Sequence, residues 1–243
     1  VQLVYLEVSD PAPGGESYRR KIGSKGYMGD AEYIKPLPLL QEVQDPQTLL
    51  ISAMETAKEI LSPAGVICVC ADTQNSARVR LVLDDIFGEG NFLNEVIWHF
   101  RKRGSSKKRF SNRHAALFFY GKTAEVKFKP AGQVRGREAV HHLKRNIDEE
   151  GRVYFSLISG GKEYKYYEDE IIPFDDVWDI PAEEQNYEFA LPGQKPDELL
   201  KRIIFASTDE GDKVAALFAG ASGILLQAAL NNRPFIGLEY NRH

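Results

Sequence analysis

Apolar and polar positions along this chain fall into blocks that read alternately as strands and helices. Val1-Gln2-Leu3-Val4-Tyr5-Leu6 is a buried strand that begins abruptly, as though chain precedes it. From Ser9 to Leu39 the chain is rich in glycine and proline, including Asp10-Pro11-Ala12-Pro13-Gly14-Gly15, and reads as a long loop. Asp45-Pro46 starts a helix with Leu49, Leu50, Met54, Ala57, Ile60 and Leu61 at helical spacing, ended by Ser62-Pro63. An apolar strand from Gly65 to Ala71 follows. Asp72 or Thr73 then caps a helix whose inward stripe is Val79, Val82, Leu83 and Ile86, stopped by Gly88. Asn94–Phe100 and Ala115–Tyr120 are further strands. The stretch from Thr123 to Leu191 breaks the pattern and reads as an insertion. After Pro196 the alternation returns, with helix Asp197–Ala206, strand Val214–Phe218, helix Ile224–Leu230 and strand Phe235–Glu239. This order predicts an α/β sheet with helices on its faces.

Composition bounds the picture without changing it. The 243 residues, 43% hydrophobic and 27% charged, suffice for one sizeable core with an appendage. No apolar run approaches the roughly 18 to 20 residues that cross a bilayer, and no signal peptide opens the chain, which favours a cytoplasmic or nucleoid-associated location and no membrane partner. Cys68 and Cys70 alternate within an apolar strand and read as core. The histidines lack metal-ligand spacing, so no metal site is expected.

Charge does add something. The net charge of −4 hides a segment from Arg101 to His114 that contains no acid. Arg101, Lys102, Arg103, Lys107, Lys108, Arg109 and Arg113 form a footprint for phosphate; the alternative is a solvated charged loop. Arg135, Arg137, Lys144 and Arg145 extend the patch. Tyr164, Tyr166 and Tyr167 stack on bases or, on the plainer reading, pack the insertion's own core.

Ala216-Leu217-Phe218-Ala219-Gly220-Ala221-Ser222-Gly223 followed by Glu239 has the strand, glycine turn, helix and terminal acid that hold an adenosyl ligand. Gln194-Lys195-Pro196 precedes it. Upstream lie Leu81–Trp98, Lys108-Arg109-Phe110-Ser111-Asn112-Arg113-His114 and Asp176-Val177-Trp178-Asp179-Ile180. In this order, with the catalytic motif first, the chain resembles the DNA amino-methyltransferases, and is similar to type III modification subunits.

The resemblance implies a Rossmann-like, methyltransferase-like α/β fold, its mostly parallel sheet covered by helices on both faces. The core would be residues 1–103 and 191–243, with an α+β target-recognition insertion at 104–190. It further implies that Lys195, Phe218, Gly220 and Glu239 hold S-adenosylmethionine. The family's first strand ends in Asp-Pro-Pro-aromatic, where the acid takes the hydrogens of the target amino group and the ring stacks on the flipped base. Here Glu7-Val8-Ser9-Asp10 stands there, without prolines or ring. The cofactor turn also departs, with Ser222 where a glycine is usual and Gly193 where a threonine is usual. The expectation is therefore a catalytically inactive chain that needs no cofactor and recognises DNA, as a homo- or heterodimer beside an active adenine methyltransferase. The alternatives are a working adenine or cytosine amino-methyltransferase of a restriction-modification system, using Glu7 or Asp10, and a dimerisation scaffold without DNA.

Overall fold

The computed structural model describes residues 1–8, 18–22, 29–33, 46–100, 107–108, 110–134, 140, 142–182, 194–218 and 223–238, with only the backbone given for 18–22, 29–33 and 46–47. The elements in chain order are β1 (Leu3–Val8), β2 (Tyr18–Ile22), β3 (Gly29–Tyr33), α1 (Pro46–Ile60), β4 (Val66–Ala71), α2 (Ser76–Phe87), β5 (Phe92–His99), β6 (His114–Gly121), β7 (Gly132–Val134), β8 (Lys144–Ile147), β9 (Val153–Ser159), β10 (Lys162–Tyr167), β11 (Ile171–Pro173), β12 (Val177–Asp179), α3 (Asp197–Ser207), β13 (Val214–Leu217), α4 (Gly223–Leu230) and β14 (Phe235–Leu238).

Seven strands form one sheet in the order β12-β5-β6-β4-β1-β13-β14. Only β6 runs antiparallel to its neighbours; β12 with β5, β4 with β1, β1 with β13 and β13 with β14 are parallel. Parallel pairs need crossovers, and α1 carries the chain from β1 to β4 as α4 carries it from β13 to β14. Strands covered on both faces lose the apolar-polar alternation, which is why β4 and β6 read as nearly continuous apolar runs.

On one face Val4, Leu6, Val8, Ile67, Val69, Phe118, Tyr120 and Leu217 meet Leu50, Met54, Ala57, Val79, Leu83 and Phe87 of α1 and α2. The other face carries Leu3, Tyr5, Cys68, Cys70, Leu117, Phe119, Val214 and Ala216, all buried. There α4 packs on β13 and against α3.

Two local readings change. Tyr18–Ile22 and Gly29–Tyr33, placed by sequence inside a long loop, are an antiparallel pair in which Arg19 is the register partner of Glu32 and Lys21 of Asp30. Glycine and proline mark where a chain breaks; they do not reveal that two short segments between such breaks pair. The second helix starts at Ser76, beyond the expected caps, because the Asp72 carboxylate accepts the backbone N–H groups of Gln74 and Asn75 (3.1 and 3.0 Å) and closes a turn first.

The chain divides into two compact units, residues 1–129 with 176–243, and Pro130–Asp175. The second is narrower than the 104–190 expected for an insertion, since β6 and β12 from that range are strands of the main sheet. Its described residues pair β7 with β11 and order β8, β9 and β10 in a three-stranded meander around Phe155. Among the described residues no helix is long and apolar enough to cross a membrane.

Candidate active site at the carboxyl edge of the sheet

Because β4, β1, β13 and β14 are parallel neighbours, their carboxyl ends open along one edge, where chains in α/β sheets turn away and leave room for a ligand. Strand alternation sends Val4, Leu6 and Val8 into the core under α1 and α2, and leaves Tyr5 and Glu7 on the opposite face. Glu7 is thus the last outward side chain at the tip of β1. In register its neighbour on β4 is Cys70, and Leu6 pairs with Leu217, the last residue of β13.

The Glu7 carboxylate is held from two directions. Its Oε1 accepts the Tyr5 hydroxyl at 2.9 Å, and its Oε2 accepts Lys195 Nζ at 2.7 Å. Lys195 comes from the segment just before α3, brought over the strand tip with its side chain 15% exposed against 25% for Glu7. Pro196 at the N-cap, with φ −59°, fixes the entry into α3, and Asp197 and Glu198 suit the positive end of that helix.

The surroundings set the protonation states. Burial is the largest single influence on Lys195 and works against its charge, yet Glu7, with smaller help from Cys70 and Asp72, raises the lysine pKa above its ordinary value overall. Burial, followed by Glu7, pushes the Tyr5 phenol well above the usual range. Cys70 is pushed up to about 12 by burial, so its thiol offers no nucleophile here.

Beyond β13, Phe218 adopts φ +59°, a left-handed conformation uncommon outside glycine. At Gly223, the first residue of α4, a Cβ would lie 2.9 Å from Leu200 Cδ1 and 4.0 Å from Gln194 Cγ. This glycine therefore lets α4 start hard against α3, and Gln194 borders the same turn.

Of the residues that sequence singled out, Glu7 and Lys195 are brought into contact, an association unread in the sequence because 188 positions separate them. Tyr5 was missed as a site residue, although its place two residues before Glu7 puts both on one strand face. Phe218 lies at the adjacent strand end. Ser9, Asp10, Gly220, Glu239, Arg101, Lys102, Arg103, Arg109, Arg135 and Arg137 lie outside the described residues. Lys107 and Lys108 are exposed and Arg113 is half-buried. Tyr167 stacks near Tyr154, with ring centroids 5.7 Å apart, while Tyr164 is 43% exposed.

Residues of two other motifs join elements of the fold. Asp84 accepts the Tyr120 hydroxyl at 2.5 Å and Arg80 Nε at 2.9 Å, joining α2 to β6. Asp176-Val177-Trp178-Asp179-Ile180 supplies edge strand β12, and Trp98 Nε1 donates to the Ile180 carbonyl at 2.8 Å.

The chain is 26% identical over 196 residues to the type II methyltransferase M2.DpnII of Streptococcus pneumoniae, covering 75% of this chain and 58% of that protein. It is 44% identical over 71 residues to the DNA adenine methyltransferase YhdJ of Escherichia coli strain K12, covering 27% of this chain and 23% of that one. It spans less than two thirds of either relative.

Among solved structures, the PvuII cytosine-N4-specific DNA methyltransferase aligns with a TM-score of 0.59 at 14% identity, over 98% of this chain and 74% of the other. A DNA modification methylase from Thermus thermophilus, in complex with S-adenosyl-L-methionine, aligns with a TM-score of 0.53 at 18% identity, over 98% and 79%. Both share the fold. Residues 40–243 match the DNA methylase model N6_N4_Mtase, and the chain belongs to that family.

Proposed function

We propose that this chain carries the site of an S-adenosylmethionine-dependent methyltransferase acting on the exocyclic amino group of adenine or cytosine in DNA, with Glu7 as the acceptor of the amino hydrogens. The observation that carries this reading is the Glu7 carboxylate, oriented at the tip of β1 by Tyr5 and Lys195. A carboxylate offers about four lone-pair positions, so two internal donors leave acceptor capacity for an incoming amino group.

The cofactor suits the residues beside it. Left-handed Phe218 turns the chain off β13, Gln194 borders the start of α4, and the resemblance adds Gly220 and, for the ribose hydroxyls, Glu239. When bound, S-adenosylmethionine supplies an electrophilic methyl group on a sulfonium. The protein's part is to hold the amino group in line, and an internally neutralised Glu7 does so without leaving a buried charge unpaired. Lys107, Lys108 and Arg113 with their neighbours would take phosphates, and the unit Pro130–Asp175 would read the target, where the DNA is, in the cytoplasm.

A second reading is a non-transferring, DNA-recognising subunit beside an active partner. It is favoured by Val8, which follows Glu7 into the core where the family has a proline, so that β1 offers no ring at its tip. The two are separated by labelled methyl incorporation into unmethylated plasmid and genomic DNA, calorimetry with S-adenosylmethionine, and a salt series of DNA binding. Cofactor binding with methyl transfer is expected. DNA affinity that falls steeply with salt, by a logarithmic slope of about 0.9 per phosphate met, without any transfer, would establish the second reading instead.

A further inference from the structure

We infer that Lys195 is a positioning residue for Glu7, fixing the direction of the acceptor carboxylate through the contact it makes across the strand tip. The inference rests on the methyl-transfer reading above and names what makes a glutamate serviceable there.

Glutamate has one more rotatable bond than the aspartate of the resembled motif. A carboxylate on a longer stem loses the alignment that a weak amine nucleophile needs unless something restores it, because reacting groups must be held close to their productive geometry. Tyr5 alone, donating to Oε1 from the same strand, leaves the carboxylate free to swing about that one bond. Lys195 Nζ, donating to Oε2 at 2.7 Å from the segment ahead of α3, adds a second fixed point from a different element. Two donors on two oxygens define the carboxylate plane. The lysine stem is anchored at once, since the next residue, Pro196, is buried and α3 begins directly after it. Its position is therefore set by the fold rather than by solvent.

Lys195→Met, Lys195→Arg and Tyr5→Phe in the full chain test this, by steady-state methyl incorporation into unmethylated plasmid and genomic DNA. Lys195→Met is expected to lower kcat by about a hundredfold while KM for DNA stays within about threefold, the pattern of a lost alignment rather than lost binding. Lys195→Arg, which keeps a charged donor, is expected to recover about tenfold of that loss, and Tyr5→Phe to lose about tenfold or less. S-adenosylmethionine affinity by calorimetry is expected to stay within about threefold of wild type in Lys195→Met, because the lysine acts on Glu7.

An active wild type whose kcat survives Lys195→Met overturns the inference alone. So does a loss that Arg does not relieve, or a collapse of cofactor affinity, which would assign Lys195 to the cofactor. Should Lys195→Met fail to fold, Lys195→Gln replaces it, with a loss in kcat of about tenfold expected and no loss overturning the inference. A wild type that transfers no methyl group overturns the methyl-transfer reading, and this inference with it.

Discussion

In the main sheet Leu117, Phe118 and Phe119 stand buried side by side on β6, whereas along β8, β9 and β10 of the second unit Phe155 alone is buried. The first region is ordered by exclusion of water from both faces. The second depends on contacts made at its surface: Arg152 donates twice to Asp169 (2.9 and 3.2 Å) and lies 4.1 Å from the Tyr167 ring centroid, and Lys165 lies 4.8 Å from that of Tyr154. A buried sheet tolerates few changes anywhere. A thin meander held by ion pairs and rings leaves most of its positions open to change, which is a useful property in a segment proposed to read different targets.

The largest effect should come from the main sheet. Leu117→Ala opens a cavity between fully buried neighbours and should cost about 2 to 5 kcal/mol in denaturant melts, with the whole of that unit losing stability together. A loss under about 1 kcal/mol would mean that the sheet is less tightly packed than its burial indicates.

A smaller and local effect is expected in the second unit. Arg152→Ala removes the Asp169 pair and the cover over Tyr167, and amide exchange should quicken in β9 and β10 while β1, β4 and β6 stay protected. Spread of the change into the main sheet would show that the two regions do not melt separately.

The smallest effect should be electrostatic and common to both. Hydrogen bonds from Lys127 and Lys129 hold Asp209 down to about 2 from the ordinary 3.8, and Arg152 lowers Asp169 in the same direction. Depressed carboxyl pKa values stabilise above the unfolded value, so each contribution is complete above that and disappears as pH falls from about 3.8 towards the folded value. All these groups are exposed and screened. Asp209→Asn should flatten the acid limb of stability in the main unit alone, Asp169→Asn that of the second, and added salt should shrink both.

The same contrast decides what could be read in the sequence. The short continuous apolar runs at Val66–Ala71 and Ala115–Tyr120, rich in β-branched and aromatic residues, read as strands covered on both sides, and the stripe from Leu49 to Leu61 reads as a helix with one buried face. Long-range pairings of polar side chains leave no periodic trace. Asp84 with Tyr120 and Glu7 with Lys195 became visible only once the strands were in register. Arg80 and Asp84, four apart, share a helix face, but that spacing does not point to Tyr120. Nothing local hinted at the second. The antiparallel pairing of Tyr18–Ile22 with Gly29–Tyr33 escaped for a related reason, its strands being too short and too polar to announce a sheet.

At Phe218 the chain sits against its own preference. A phenylalanine in a left-handed bend costs about 1 to 3 kcal/mol, which a glycine would not incur. Glycine would relieve that strain, but it would also surrender a partly buried ring packed against the core and free the unfolded chain, so the two effects oppose each other. The strained bend is thus held in place by the ring it carries, and fold and site at the end of β13 draw on the same side chain.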